Sequence, residues 1–88
     1  MNTNAYVYLL LCRDGTLYCG WTTDPSARLR AHNSGCGSKY TRARLPVRMV
    51  YCEKIDGGKS EALRREYEIK HMTRRQKLAL INKSDNIQ

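Results

Sequence analysis

Five side chains in this sequence, with the basic groups that follow the last of them, are of types and spacings that could handle a phosphodiester: Tyr8, Tyr18, Arg28, His32 and Glu66. Glu66 is a carboxylate on a helical stripe with Ala62 and Ile69, at i, i+4 and i+7. A carboxylate on a packing stripe must be paired or hold a metal. Lys70, four residues on, offers the pair, and the pattern favours neither account. Arg28 and His32 are also four apart and present together. The planar fork of an arginine suits a phosphate. On spacing alone, an exposed basic face with Arg30 is the simpler account. Tyr8 and Tyr18 are of types more common as sheet residues than as catalysts. A phenol has a reference pKa of about 10, so it is a poor base at neutral pH unless a nearby cation favours the phenolate. Taken together, the order and spacing of these residues suggest a small phosphodiester-cleaving site.

The chain has 88 residues, which predicts one domain, placed at residues 1–83, with a tail over 84–88. The net charge is +8. The excess lies in two stretches, Lys39 to Arg48 and Lys70 to Lys83. Such segregation predicts a phosphate-rich partner. An anionic membrane surface is disfavoured, because these stretches lack a broad aromatic and leucine face. A solvated, solubility-promoting surface is the plainer alternative. No apolar run is long enough to span a bilayer, and the N-terminus lacks the pattern of a signal peptide, so a cytoplasmic location is expected. Cys12, Cys19, Cys36 and Cys52 contain no Cys-x-x-Cys pair, which argues against structural zinc. Cys12, Cys19 and Cys52 read as small buried hydrophobes, and Cys36, between glycines, as exposed.

Residues 6–12 and 16–22 read as a hairpin around Arg13-Asp14-Gly15. A two-residue turn would mix apolar and polar residues on each face. A three-residue loop with Gly15 left-handed pairs positions whose numbers sum to 28. Val7, Leu9, Leu11, Leu17, Cys19 and Trp21 then share one face, and Tyr8, Tyr18 and Gly20 the other. This cleaner segregation favours the second register and brings the two tyrosines together. Asp24-Pro25 predicts a helix start, with the helix ending near Asn33. Residues 35–46 read as a basic loop in which Tyr40 stacks on a base, flanks a site or anchors the loop. Residues 47–54 alternate as a third strand. Residues 60–71 form a second helix, and Thr73 with Gln76 forms a capping box that opens a third helix ending near Asn82. The order ββαβαα predicts an α+β fold, a three-stranded antiparallel sheet flanked by helices.

With these residues in place, the chain resembles the GIY-YIG nuclease domain. Tyr6-Val7-Tyr8 stands where that family has Gly-Ile-Tyr, and Tyr18-Cys19-Gly20 where it has Tyr-Ile-Gly. Arg28 and His32 match its helical Arg-x-x-x-His, and Ala62 to Tyr67 its glutamate segment. The resemblance covers residues 5 to 82. It is nearest to the small bacterial YhbQ-like members, including Thr73-Arg-Arg-Gln-Lys77. Tyr6, Val7 and Cys19 depart from the motif that names the family. The resemblance implies a metal-dependent endonuclease acting on DNA. Glu66 would hold one divalent cation, Mg2+ with Mn2+ substituting. Arg28 would donate to the phosphate, and Tyr8 would act as general base with a pKa lowered by the cationic surround. Tyr18 and His32 would orient water or Tyr8, and Gly20 would allow close backbone approach. The polar residue that follows the glutamate in the family is Lys77 or Asn82. Lys39, Tyr40, Arg42, Arg44, Lys70, Arg74, Arg75 and Lys77 would track the strand. Branched, single-stranded or damaged DNA is the expected partner, in repair or recombination. RNA stays open, as does a protein partner supplying specificity. The alternatives are a nucleic-acid-binding module without turnover and a scaffold domain.

Overall fold

The computed structural model describes residues 4–85, and side chains as far as Lys83. The elements are β1 (Ala5–Leu11), β2 (Leu17–Thr22), α1 (Pro25–Asn33), α2 (Lys39–Arg42), β3 (Arg48–Ile55), α3 (Gly58–Lys70) and α4 (Arg74–Asp85). The sheet is antiparallel, in the order β2-β1-β3. The α+β fold with its three-stranded sheet is therefore as expected, with one added helix.

The hairpin adopts the predicted register: Tyr8 faces Gly20 and Leu10 faces Tyr18. Gly15 has φ +85°, a conformation that costs glycine nothing. β1 is the central strand, and its near-continuous apolar run is explained by cover on both sides. On one face Val7, Leu9 and Cys19 pack with Ala62 and Ile69 of α3 and with Leu80 and Ile81 of α4. On the other, Tyr8, Leu10, Cys12 and Val47 pack with Tyr18 and with Leu29 of α1. Trp21 packs against the first of these cores, as expected.

The helix ends follow local chemistry. Asp24 caps α1, accepting from the Ala27 N–H at 3.1 Å, with Pro25 in the first turn. The capping box of α4 is complete: Gln76 N–H donates to Thr73 Oγ1 at 3.1 Å and Thr73 N–H donates to Gln76 Oε1 at 2.8 Å. α4 continues past Asn82 to Asp85, into the segment 84–88 expected as a tail. Residues 86–88 of that tail lie outside the described residues. α3 opens at Gly58, two residues early, after Gly57 with φ +102°.

Three expectations are corrected. The segment 35–46 is not all loop. Ser38 caps the short helix α2, accepting from Thr41 N–H at 3.1 Å. Four residues are too few to show a helical period. β3 does not alternate throughout, because the ladder shifts between Leu9 and Leu10. Val50 and Tyr51 both reach the α3 side, while Val47 and Met49 pack on the other. Cys52, past that shift, is exposed rather than buried. Cys12 and Cys19 are buried, Cys36 is exposed, and all four thiols are free.

β3 is tied to α3 by Arg65, whose Nε and Nη2 meet the two Glu53 oxygens at 2.9 and 3.1 Å. Tyr51 donates to Glu53 Oε1 at 2.5 Å. This bidentate pair is only about a quarter exposed. Glu53→Ala is expected to destabilise the fold by about 1.5–3 kcal/mol, the range for hydrogen bonds to charged groups. Urea unfolding measures it.

Candidate active site

The site grows from the hairpin register. Tyr8 lies opposite Gly20, and a Cβ on Gly20 would stand 2.5 Å from the Tyr8 oxygen and 2.7 Å from its Cζ. Only a bare Cα lets the phenol lie over β2 at this point. α1 then brings His32 to the phenol, with Nε2 3.0 Å from the Tyr8 oxygen. Tyr8 and His32 are 2% and 1% exposed, so both are shielded from bulk water.

α2 completes the far side of the imidazole. His32 Nδ1 lies 2.7 Å from Thr41 Oγ1, which lies 2.9 Å from Ser38 Oγ. Gly37 passes so close that a Cβ there would overlap the His32 ring. The Tyr18 ring meets His32 edge-on, at 5.4 Å between centroids.

Burial pushes the Tyr8 hydroxyl well above the ordinary phenol range, and the nearby Tyr18 adds to the rise. Arg28 opposes both but does not prevail. The resemblance implied a lowered value, and for the protein alone that is corrected. Burial, aided by Arg28, holds His32 below the usual imidazole value. At neutral pH, then, a neutral phenol faces a neutral imidazole. Tyr8 O–H donates to Nε2, and Nδ1–H donates to Thr41 Oγ1, a tautomer assigned from the partners.

His32 titration gives a prediction of definite sign. The unfolded chain protonates its imidazole near pH 6.5, before the folded chain does. The contribution to stability is therefore full above about pH 6.5 and is lost as the pH falls from there through the lower folded value. Melting temperature is expected to decline on acidification from pH 7 to 5, with His32→Gln flattening the decline. A decline of equal slope in the variant contradicts the assignment.

Glu66 stands on α3 with its side chain 16% exposed, and its Oε2 is 3.8 Å from Lys70 Nζ. The ion pair that Lys70 offers is thus present but long. Its charge also reaches across β2, helping raise both Tyr8 and the Cys19 thiol, the latter pushed up chiefly by burial to about 12. Among the described residues, no three His, Cys, Asp or Glu side chains gather around a common point. A lone carboxylate still fits Mg2+, which keeps several waters and is commonly bound by one or two carboxylates plus substrate phosphate.

Of the two residues considered to follow Glu66, Lys77 is half-buried and its charge is felt at Cys19, as is that of Lys70. Asn82 is exposed. Lys39, Tyr40, Arg42, Lys70, Arg74 and Arg75 are exposed. A cavity of about 270 Å³ is lined by residues 35–39 and Arg42. Arg44 and Arg74 are committed within the protein. Arg44 Nε donates to Asp14 Oδ2 and Arg74 Nη1 to Gly15 O, each at 2.9 Å. The Tyr40 ring stacks with Tyr18, at 5.9 Å between centroids, and Arg44 Cζ lies 3.8 Å from the Tyr40 centroid, while Tyr40 is 38% exposed. Both contacts suit a ring that anchors the loop and flanks the site.

Sequence reasoning missed Thr41, Ser38 and Gly37, which fix the imidazole from behind. The Ser-x-x-Thr spacing of a helix cap was the available signal.

The family profile of the GIY-YIG catalytic domain matches residues 4–79, and the chain belongs to that family of nucleases. Its relatives are bacterial UPF0213 proteins. UPF0213 protein CPE1444 of Clostridium perfringens is 56% identical over 77 residues, covering 88% of this chain and 82% of that one. The solution structure of UPF0213 protein BH0048 from Bacillus halodurans is similar, with a TM-score of 0.56 and 49% identity over 90% of this chain and 83% of that one. The solution structure of EF2693 from E. faecalis has a TM-score of 0.64 and 42% identity over 99% of this chain and 92% of that one.

Proposed function

We propose that the protein is a metal-dependent endonuclease that hydrolyses DNA phosphodiester bonds and selects its substrates by structure rather than sequence. The observation that carries this reading is the 3.0 Å contact between Tyr8 and His32, with the charges of Arg28 and Glu66 both acting on the same phenol. A module that only bound DNA would have no need of a half-buried carboxylate beside phosphate.

The raised pKa of Tyr8 changes how it can act. Rather than waiting as a phenolate, Tyr8 hands its proton to His32 Nε2 as it takes one from the attacking water. His32 is the net base, and it is neutral and ready at working pH. Thr41 and Ser38 hold the ring in the accepting orientation. Arg28 donates to the non-bridging oxygens as charge develops on phosphorus. Tyr18 packs on the imidazole edge and limits its tilt. Glu66 would hold a single Mg2+, with Mn2+ able to replace it, and the cation would supply charge neutralisation at the phosphate and the leaving oxygen. Lys70 borders Glu66 on α3.

Lys39, Arg42 and Arg75 are exposed and suit the sugar-phosphate backbone. Nothing in this set is arranged to read base edges. Branched, single-stranded or damaged DNA of repair and recombination is therefore the proposed substrate, in the cytoplasm, with a protein partner adding specificity. No helix among the described residues is long and apolar enough to cross a membrane.

His32→Ala is expected to reduce cleavage by about 10²–10⁴-fold, the usual worth of a positioned acid or base. In the parent protein the rate should hold as the pH falls to about 6.5 and drop only below it, because the imidazole resists protonation. Rates on a forked duplex from pH 5 to 8 test this. A limb centred above 6.5 contradicts His32 as the base. Cleavage of RNA but not DNA would overturn the substrate assignment.

A further inference from the structure

The hairpin turn is joined to the site by contacts that the proposed chemistry does not use. Asp14 Oδ1 accepts from Thr16 N–H and Oγ1 at 3.1 and 2.6 Å, which leaves Oδ2 aimed at Arg44 Nε, 2.9 Å away. Arg44 Nη1 donates to Tyr40 O at 2.9 Å, and Arg13 N–H donates to Arg44 O at 2.9 Å. The guanidinium is thereby held over the Tyr40 ring, its Cζ 3.8 Å from the centroid. Tyr40 in turn stacks on Tyr18, at 5.9 Å and 25°. Tyr18 abuts His32, which holds Tyr8. The column Asp14–Arg44–Tyr40–Tyr18–His32 runs unbroken from an exposed turn to the reacting phenol.

We propose that Arg44 is a positioning residue: held by Asp14, it clamps Tyr40 onto Tyr18 and so fixes the imidazole edge of the site, rather than binding a DNA phosphate. The inference rests on the nuclease reading for its kinetic consequence but not for its geometry. Tyr18 is only half-buried, so packing by the core does not fully restrain its ring. The restraint comes from the far side, through Tyr40. Arginine suits the task because its plane can stack while its edge donates twice. A lysine would carry the same charge without either property.

The two roles differ in sign under Asp14→Asn. Removing the acceptor charge loosens the clamp, so a positioning Arg44 predicts slower turnover with DNA affinity unchanged or tighter. A phosphate-binding Arg44 would be released, and both affinity and cleavage would rise. The experiment compares Asp14→Asn, Arg44→Lys and Arg44→Gln with the parent protein. It measures kcat on a forked duplex, Kd against salt without metal, and the aromatic NMR resonances of Tyr18 and His32. In all three variants kcat is expected to fall about tenfold to a hundredfold, the scale of a small misplacement. The salt slope should be unchanged, and the Tyr18 and His32 resonances should shift. The proposal is overturned if Arg44→Lys keeps full turnover while Arg44→Gln flattens the log–log salt slope by about 0.9, one phosphate contact, with the rings unmoved. If the parent protein does not cleave, the nuclease reading fails by itself. The resonances then still decide the clamp: shifted rings in Asp14→Asn and Arg44→Lys retain it, and unmoved rings refute it.

Discussion

Replacing Glu66 by alanine is expected to lower metal-dependent DNA cleavage by about 10³-fold or more, while the folded state persists. The first half follows from the donor set. Glu66 is a carboxylate whose charge adds to the rise at Tyr8, and among the described residues no three His, Cys, Asp or Glu side chains gather to hold a metal elsewhere. Losing a cation that stabilises transition-state charge costs several kcal/mol, and each 1.36 kcal/mol is tenfold in rate. The second half follows from packing. Ala62 and Ile69 are the α3 residues buried in the core, whereas the Glu66 carboxylate pairs with Lys70 at 3.8 Å, and the bond its residue accepts from Cys19 goes to the main-chain carbonyl, which alanine keeps. A long pair of this kind contributes about 0–1 kcal/mol. DNA binding without metal should be equal or tighter, since the variant sheds a negative charge. Loss of cleavage through unfolding would show in urea titration, and the account predicts a midpoint close to that of the parent.

Gly20→Ala is expected to have the largest combined effect on stability and activity. The argument is about space rather than backbone freedom, since Gly20 is not among the glycines with positive φ. The new methyl would stand 2.5 Å from the Tyr8 oxygen and 2.7 Å from Cζ. Carbon contacts are comfortable at about 3.5–4.0 Å. Tyr8 cannot yield easily, being 2% exposed and bonded to His32. Overpacking of this kind costs about 1–3 kcal/mol. Any relief that moves the phenol also breaks the 3.0 Å contact to Nε2, so cleavage should fall about 10²–10⁴-fold, as for removal of a catalytic base. Adding Tyr8→Phe removes the oxygen but not Cζ. The double variant should recover part of the stability and none of the activity. Additive stability changes in that cycle contradict the contact.

Much of the positioning was legible in the sequence, for identifiable reasons. The hairpin register could be read because a slip of one residue would move Val7, Leu9 and Cys19 off the core face. α1 and α4 announced their starts through Asp24-Pro25 and Thr73/Gln76, since these bonds are local. The sequence did not show how Tyr8 titrates. Its burial depends on α1 closing over β1, a long-range event, and burial outweighs Arg28. α2 was hidden because four residues carry no period, and with it went the Thr41–His32 bond. The basic residues of 39–48 looked equivalent in sequence. Arg44 separates from Lys39 and Arg42 only when the turn brings Asp14 within 2.9 Å.

The most direct test of the central claim uses the purified protein, Glu66→Ala and Tyr8→Phe with Mg2+ or Mn2+ and labelled single-stranded, forked and four-way-junction DNAs. The account predicts metal-dependent cleavage by the parent protein, with a preference among these structures, and its loss in both variants with DNA binding retained. Cleavage that survives in Glu66→Ala, or binding by all three proteins with cleavage by none, would contradict it.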